Sequence, residues 1–487
     1  MATVIGTETE FGISIRNSPD FNPALASGLV INCYRGEGTR VQWSYEEESP
    51  GRDLRGFGVD TSGDYDSGVV NVVLGNGARL YVDHAHPEYS GPECADALSA
   101  ALYDKAGEFV MAEAAANAGL LVRPGEIVSI YKNNSDNKGN SYGAHENYLI
   151  SRLIPFGQIV DYLTGFLVSR QPLTGAGKLG SENERPEATY QITQRADFFE
   201  ERVGLETTLK RPIINTRDEP HGDAEKYRRL HVIIGDATLS EVQTFVKLGT
   251  TALFLAALED GFFPEALELE DPVTACWQVS HDLDMTRSYA LVDGSSMTAL
   301  QMQNRYYEWL AKYAEQTTDN PVTEQVLVEW RGLLDDLEVD PSRTADRLDW
   351  VAKRSLMEAY VDRGAAWDDP RLAVINLQYH DVASDKSLFR KLQDRGRIRR
   401  LFTDDQVRAA AAQPPEDTRA YFRGRCVTKY GEKVVAANWD SLVFDASETH
   451  LKRVPMMEPL LGTKELVSEL IDTSDTVQEL LQGLGGH

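Results

Sequence analysis

From residue 4 to residue 13 polar and apolar side chains alternate, V-I-G-T-E-T-E-F-G-I. A strand's period of two sends Glu8 and Glu10 to one face and Thr7, Thr9, Phe11 and Ile13 to the other. Residues 78–83 repeat the pattern, with Arg79, Tyr81 and Asp83 opposite Leu80 and Val82. After the turn-rich stretch 133–143, residues 144–150 carry His145 and Asn147 on one face, and residues 229–235 hold His231 in an otherwise apolar run. Each predicted strand thus sets an acid, a histidine or an arginine against an apolar back. That is the pattern of a sheet with one side serving as an active site. Helical periodicity predicts helices over about 94–118, 239–259, 300–315, 323–337 and 342–360. Strands and helices segregate, which predicts an α+β fold. A Gln-Pro-Pro sequence at 413–415 predicts a linker over 409–418, separating a large domain, 1–410, from a small C-terminal one, 419–487. Gly51 to Gly68, rich in Gly and Asp, reads as an exposed loop, and the last five residues as a floppy end.

The chain has 487 residues with 76 acidic against 49 basic side chains, a net charge of −27. Such a surface repels phosphate backbones, so neither nucleic acid nor an anionic membrane is an expected partner. The N-terminus carries Glu8 and Glu10 where a signal peptide needs an apolar run, and the most apolar stretch, 242–258, is too polar to span a bilayer. Four dispersed cysteines, Cys33, Cys94, Cys276 and Cys426, form no C-x-x-C pair and read as reduced thiols. A cytoplasmic location is expected.

Hard cations such as magnesium take carboxylate oxygens. Glu8, Glu10 and Glu88 are candidates, with Tyr81 or His145 completing the shell; a solvated pair of glutamates is the plain alternative. Asp83, ending a strand in L-Y-V-D-H-A-H-P-E-Y, is a candidate general base or nucleophile, or a strand-end cap. His84 and His86 lack a third soft ligand nearby, so zinc is not expected. Arg217 suits a phosphate or carboxylate, unless Asp218 or Glu219 holds it. Trp439 is an adenine-stacking candidate or a packing residue. Residues 391–400, K-L-Q-D-R-G-R-I-R-R, form a basic run that either solvates a helix or docks an acidic partner. No P-loop or Rossmann glycine motif is present.

The spellings G-T-E-T-E-F-G at 6–12, N-G-A-R-L-Y-V-D-H-A-H-P-E-Y-S at 76–90 and N-S-Y-G-A-H-E-N-Y-L at 140–149 resemble the Pup ligase and Pup deamidase/depupylase family, related to glutamine synthetases and other carboxylate-amine ligases. R-P-I-I-N-T-R-D-E-P-H at 211–221, A-E-K-Y-R-R-L-H-V-I-I-G-D at 224–236 and Q-P-P-E-D-T-R-A at 413–420 continue it in family order. The resemblance implies a glutamine-synthetase-like domain with a curved, mostly antiparallel sheet cradling ATP and magnesium, and a small C-terminal domain contributing to the nucleotide site. W-S-Y-E-E-E-S-P-G-R-D-L-R-G-F at 43–57, D-H-A-H-P-E-Y-S and G-A-H-E-N-Y-L are depupylase-like spellings. After Phe57 the insertion of about 43–70 is shorter and richer in Gly and Asp than the family pattern.

Carried over residue by residue, the resemblance makes Asp83 the catalytic aspartate and Glu8, Tyr81 and Glu88 the principal magnesium ligands. Glu10 and His145 serve a second metal or the phosphates. Arg79 and Trp439 contact ATP, and Arg217 and His231 lie on its phosphate side. The implied activity is deamidation of the C-terminal Gln of Pup and release of Pup from substrate lysines. Asp83 either attacks the amide or activates a water or phosphate nucleophile, and ATP is bound rather than consumed at each turnover. Pup and pupylated proteins are the implied partners. The alternatives are a Pup ligase that spends ATP, and a non-catalytic Pup-binding adaptor.

Overall fold

A computed structural model describes residues 4–36, 38–39, 41–43, 53, 71–317, 319–447 and 450–485. The insertion expected over about 43–70 therefore lies outside the described residues, apart from Trp43 and Asp53.

The fold is α+β. Its centre is a seven-stranded sheet ordered Tyr227–Val232, Ala144–Ser151, Ile5–Glu10, His86–Ser90, Arg79–Asp83, Asn71–Leu74 and Gly38–Thr39. Every neighbouring pair is antiparallel. Directly paired residues share a face, so the register assembles the polar side chains. Glu8 lies opposite His145 and Ser90, Glu10 opposite Glu88, Tyr81 opposite Glu88, and His231 opposite Asn147. The other face carries Ile5, Leu80, Tyr89, Tyr148, Leu230 and Val232, all buried in the main core. Helices Ala97–Gly119 and Glu241–Glu259 cover it. The first of these is rich in alanine, which lets it approach closely; a Cβ on its Gly107 would meet the Tyr89 ring at 2.5 Å.

The first strand is shorter than its alternation implies. It ends at Glu10, Phe11 turns to give its N–H to the Pro87 carbonyl, and Gly12–Arg16 pairs instead with Ile127–Tyr131. A Cβ at Gly12 would lie 2.6 Å from both Asn133 Oδ1 and the Tyr142 hydroxyl. The helix expected over 342–360 is also divided, into a 3-10 turn Pro341–Thr344 and a helix Asp349–Val361. Periodicity did not reveal the helix Phe156–Ser169, which packs against Ala299–Thr317.

A second core forms around Trp43, Val73, Tyr421, Phe422, Leu442 and Phe444. It includes a four-stranded sheet in which Gln42–Trp43 runs parallel to Val434–Ala437. The expected linker is not an exposed tether: Asp404–Ala412 is helical, and Pro414 and Pro415 are buried. The chain end, expected to be floppy over 483–487, is helical over Val477–Gly485, and residues 486–487 lie outside the described residues. Among the described residues no helix is long and apolar enough to cross a membrane, and all four cysteines are free and buried.

Candidate active site

The polar face of the sheet floors a cleft of about 880 Å³. Glu8, Glu10, Arg79, Tyr81, Asp83, Glu88, His145 and Arg217 all line it. Two groups of ligand-type atoms lie within 4.8 Å of one another, one from Glu8, His145 and His231, the other from Glu10, Asp83 and Glu88. His84 and His86 belong to neither group.

Hydrogen bonds fix these side chains. The His145 ring nitrogen Nδ1 is 3.3 Å from Glu8 Oε2, and Asn147 donates to Glu8 Oε1 at 3.0 Å. Arg229 donates to Asn147 Oδ1 at 2.6 Å. Glu10 accepts the Gly143 N–H at 2.9 Å and stands 3.2 Å from His86 Nδ1. Gly143 has to be glycine, since a Cβ would meet His145 Nε2 at 2.6 Å and Glu10 Oε1 at 2.7 Å. Asp83 ends its strand at a two-residue hairpin whose first central residue, His84, adopts φ +50°. His84 Nδ1 sits 3.1 Å from the Asp83 carboxylate.

The electrostatics separate these acids. Burial pushes the Glu88 carboxyl up, and the charges of Asp83, Glu10 and Glu8 push it further, well above the usual carboxylate range. Burial also raises Glu8, but the His145 hydrogen bond and the charge of Arg229 outweigh it and hold the group well below its ordinary value. Asp83 is likewise raised by burial and then lowered overall by the His84 hydrogen bond, with His84 and His145 adding their charge. The same hydrogen bond raises His84 to about 9. Burial, then Arg229, drives the His231 imidazole well down, so it is neutral and able to act as a ligand or acceptor. Its buried Nε2 has no hydrogen-bond partner among the described residues. Four crowded carboxylates with imidazole beside them are a donor set suited to divalent cations, whose charge would offset the like-charge repulsion that adds to burial in raising Glu88.

A smaller adjoining pocket shares Glu8 with the cleft and is lined by Gly6, Asn147, His221, Arg229, Arg419 and Trp439. Trp439 thus faces a pocket and also packs, its ring 5.3 Å from that of Trp43. Of the carboxylates suspected of occupying Arg217, Asp218 is taken by a bidentate pair with Arg152 at 2.8 and 3.0 Å. Glu219 stands 3.9 Å from Arg217.

Sequence reasoning missed several cleft residues. Arg195 and Arg211 are buried in the wall facing Glu10, with no carboxylate within ion-pair distance among the described residues. Arg195 donates to the Ile233 carbonyl, and Arg211 to the Ser141 carbonyl at 2.7 Å. Burial, then the charge of Arg211, lowers Arg195 to about 9. Arg195 comes from an irregular turn, where no periodicity marks it. Arg229, by contrast, alternates with His231 on one strand, and that spacing was a usable signal.

A model described as "Pup-ligase protein" matches residues 3–443. The chain belongs to the Pup-ligase family. The match spans every site residue from Glu8 to Trp439. Among curated family relatives, a depupylase from Acidothermus cellulolyticus is 49% identical over 100% of both chains. A Pup deamidase/depupylase from Mycolicibacterium smegmatis is 48% identical over 99% of this chain and 100% of its own. A Pup-protein ligase from Mycobacteroides abscessus is 40% identical, over 82% of this chain and 90% of its own. Two solved Pup-ligase structures share the fold. The ligase PafA in complex with the prokaryotic ubiquitin-like protein Pup superposes with a TM-score of 0.83, 32% identity and coverage of 100% of this chain and 95% of that one. PafA in complex with ADP gives 0.75 and 34%, covering 82% and 89%.

Proposed function

We propose that this member of the Pup-ligase family is a hydrolase of Pup amides. It converts the C-terminal Gln of Pup to Glu and cuts the isopeptide bond joining Pup to substrate lysines. Both bonds are side-chain amides of one residue, so one site serves both. The observation that carries the reading is the level of similarity: 47–49% for the depupylases and deamidases, against 36–40% for the ligases, one of which spans 96% of this chain.

Asp83 is the catalytic carboxylate. It stands at a strand end in the cleft and is held ionised by His84 and His145, ready to attack the amide carbon or take a proton from the attacking group. Glu8, Glu10, Tyr81, Glu88 and His145 would hold magnesium, with His231 completing the cluster that contains Glu8. Bound there, magnesium supplies positive charge against the oxygen anion that develops as the amide is attacked. Arg195 and Arg211, buried without carboxylate partners among the described residues, offer further positive charge in the lining of the cleft. Arg79, Arg217, His231 and Trp439 would hold ATP, Trp439 from the lining of the smaller pocket; the ADP complex of PafA supports a nucleotide in this fold. Amide hydrolysis runs downhill, so ATP here is a bound cofactor. The second core, built mainly from residues of the C-terminal segment with Val41, Trp43 and Val73 packed into it, supports a division into a catalytic domain, 1–410, and a small C-terminal domain, 419–487, that furnishes Trp439. Four buried free thiols suit a reducing cytoplasm.

The test is incubation of the purified protein with Gln-ended Pup, ATP and magnesium, read by mass spectrometry. Conversion of the terminal amide to the acid is expected. Inert Gln-ended Pup, together with attachment of Glu-ended Pup to protein lysines, would assign the chain to ligation instead.

A further inference from the structure

Arg79 reaches the cleft between two aromatic rings. Its guanidinium carbon lies 4.0 Å from the ring centre of Trp43 and 3.8 Å from that of Tyr81, while Nε donates to Asn71 Oδ1 at 2.9 Å. The Trp43 ring also meets Trp439 edge-on at 5.3 Å and 71°. Trp439 is covered in turn by Arg423, 5.0 Å from its ring centre, and Arg423 is anchored by Glu93. Trp43 is buried, and it occupies this place because Gln42–Trp43 pairs in parallel with Val434–Ala437, with Ala437 opposite Trp43. A residue from the N-terminal part of the chain thus sits inside the second core, between an arginine of the central sheet and a tryptophan of the C-terminal segment.

We propose that Trp43 is a positioning residue for the nucleotide: it fixes Arg79, over its ring, and Trp439, at its edge, before ATP arrives. An arginine side chain in water samples many rotamers, and ordering it on binding weakens affinity. Two ring faces and one hydrogen bond remove that freedom in advance, and the planar guanidinium is the cation suited to such stacking. The inference rests on the reading that Arg79 and Trp439 contact ATP.

The test compares ATP affinity by calorimetry, and turnover of Gln-ended Pup at saturating ATP, in W43F, W43L, R79K, R79Q and the W43L/R79K double variant. W43L is expected to weaken ATP binding about tenfold while turnover changes less than about twofold, and W43F to stay near wild type. R79K keeps the charge and loses the planar stack, so it should resemble W43L, and the double variant should lose little more than either. ATP affinity in W43L within about twofold of wild type would overturn the proposal, as would W43F as weak as W43L or fully additive losses in the double variant. If W43L fails to fold by circular dichroism, W43M takes its place, and an ATP affinity in W43M within about twofold of wild type would overturn the proposal. Unchanged ATP affinity in R79Q would overturn the nucleotide reading itself; weakened R79Q with unchanged W43L would overturn this inference alone.

Discussion

Glu88 is the side chain in which the cost of assembling this site is concentrated. It is buried, it lies between Glu10 and Tyr81 in register, and like charges surround it. A neutral amide of the same shape removes the repulsion and also a ligand. Glu88→Gln is therefore expected to melt no lower than wild type in chelator, and to lose most of the stabilisation magnesium is expected to give wild type, since a bound cation stabilises only to the extent that it binds. Melting curves with and without magnesium check this, and an unchanged magnesium-dependent shift would remove Glu88 from the cation site. Much of this chemistry was legible in the alternation of the first strand and of 78–83, because a strand's period sorts faces without tertiary knowledge. Arg195 and His221 were not legible: one sits in an irregular turn, the other on a loop at φ +47°, and only the folded chain brings them to the pockets.

The junction between the two cores is held by a buried ion cluster. Glu93, just after the His86–Ser90 strand, accepts from Arg419 Nε at 2.6 Å and from Arg423 Nη1 at 3.0 Å, both buried at the start of helix Ala420–Tyr430. Burial raises the Glu93 carboxyl, but the two arginines overcome it and bring it to about 2. With the folded value depressed, this stability is present above the unfolded value, about 4.5, and is lost as pH falls toward 2. Glu93→Gln leaves two buried cations short of a carboxylate and is expected to cost about 3–5 kcal/mol. Denaturant unfolding checks this: the variant's deficit should be full at neutral pH and shrink as acid titrates the wild type. A similar tertiary demand explains the helix boundary that periodicity missed. Asp349 turns its carboxylate to the Leu239 N–H at 2.6 Å and the Tyr379 hydroxyl at 2.8 Å, so the chain breaks before it. No local pattern over 342–360 announces those partners.

A net charge of −27 gives the molecule no general attraction for an acidic partner. The basic run of 391–400 is partly neutralised in place, with Arg399 paired to Glu329 and Arg400 to Asp404. Arg390, Lys391, Arg395 and Arg397 are exposed and have no carboxylate within ion-pair distance among the described residues. If they dock an acidic segment, the effect is local, within a Debye length of about 8 Å at physiological salt. Charge reversal at Lys391, Arg395 and Arg397 is then expected to raise KM for Pup severalfold, mainly through slower association, and to flatten its salt dependence. Unchanged KM and salt slope would make the run ordinary surface. The central claim is that Asp83, on the acidic face of the sheet, hydrolyses the Pup amide. It is tested most directly by single-turnover cleavage of a Pup-lysine conjugate by wild type and Asp83→Asn, with ATP and magnesium saturating. Wild type is expected to free Pup, and the variant to fall by about a hundredfold or more while still binding ATP. Release of Pup by the variant at the wild-type rate would contradict the account.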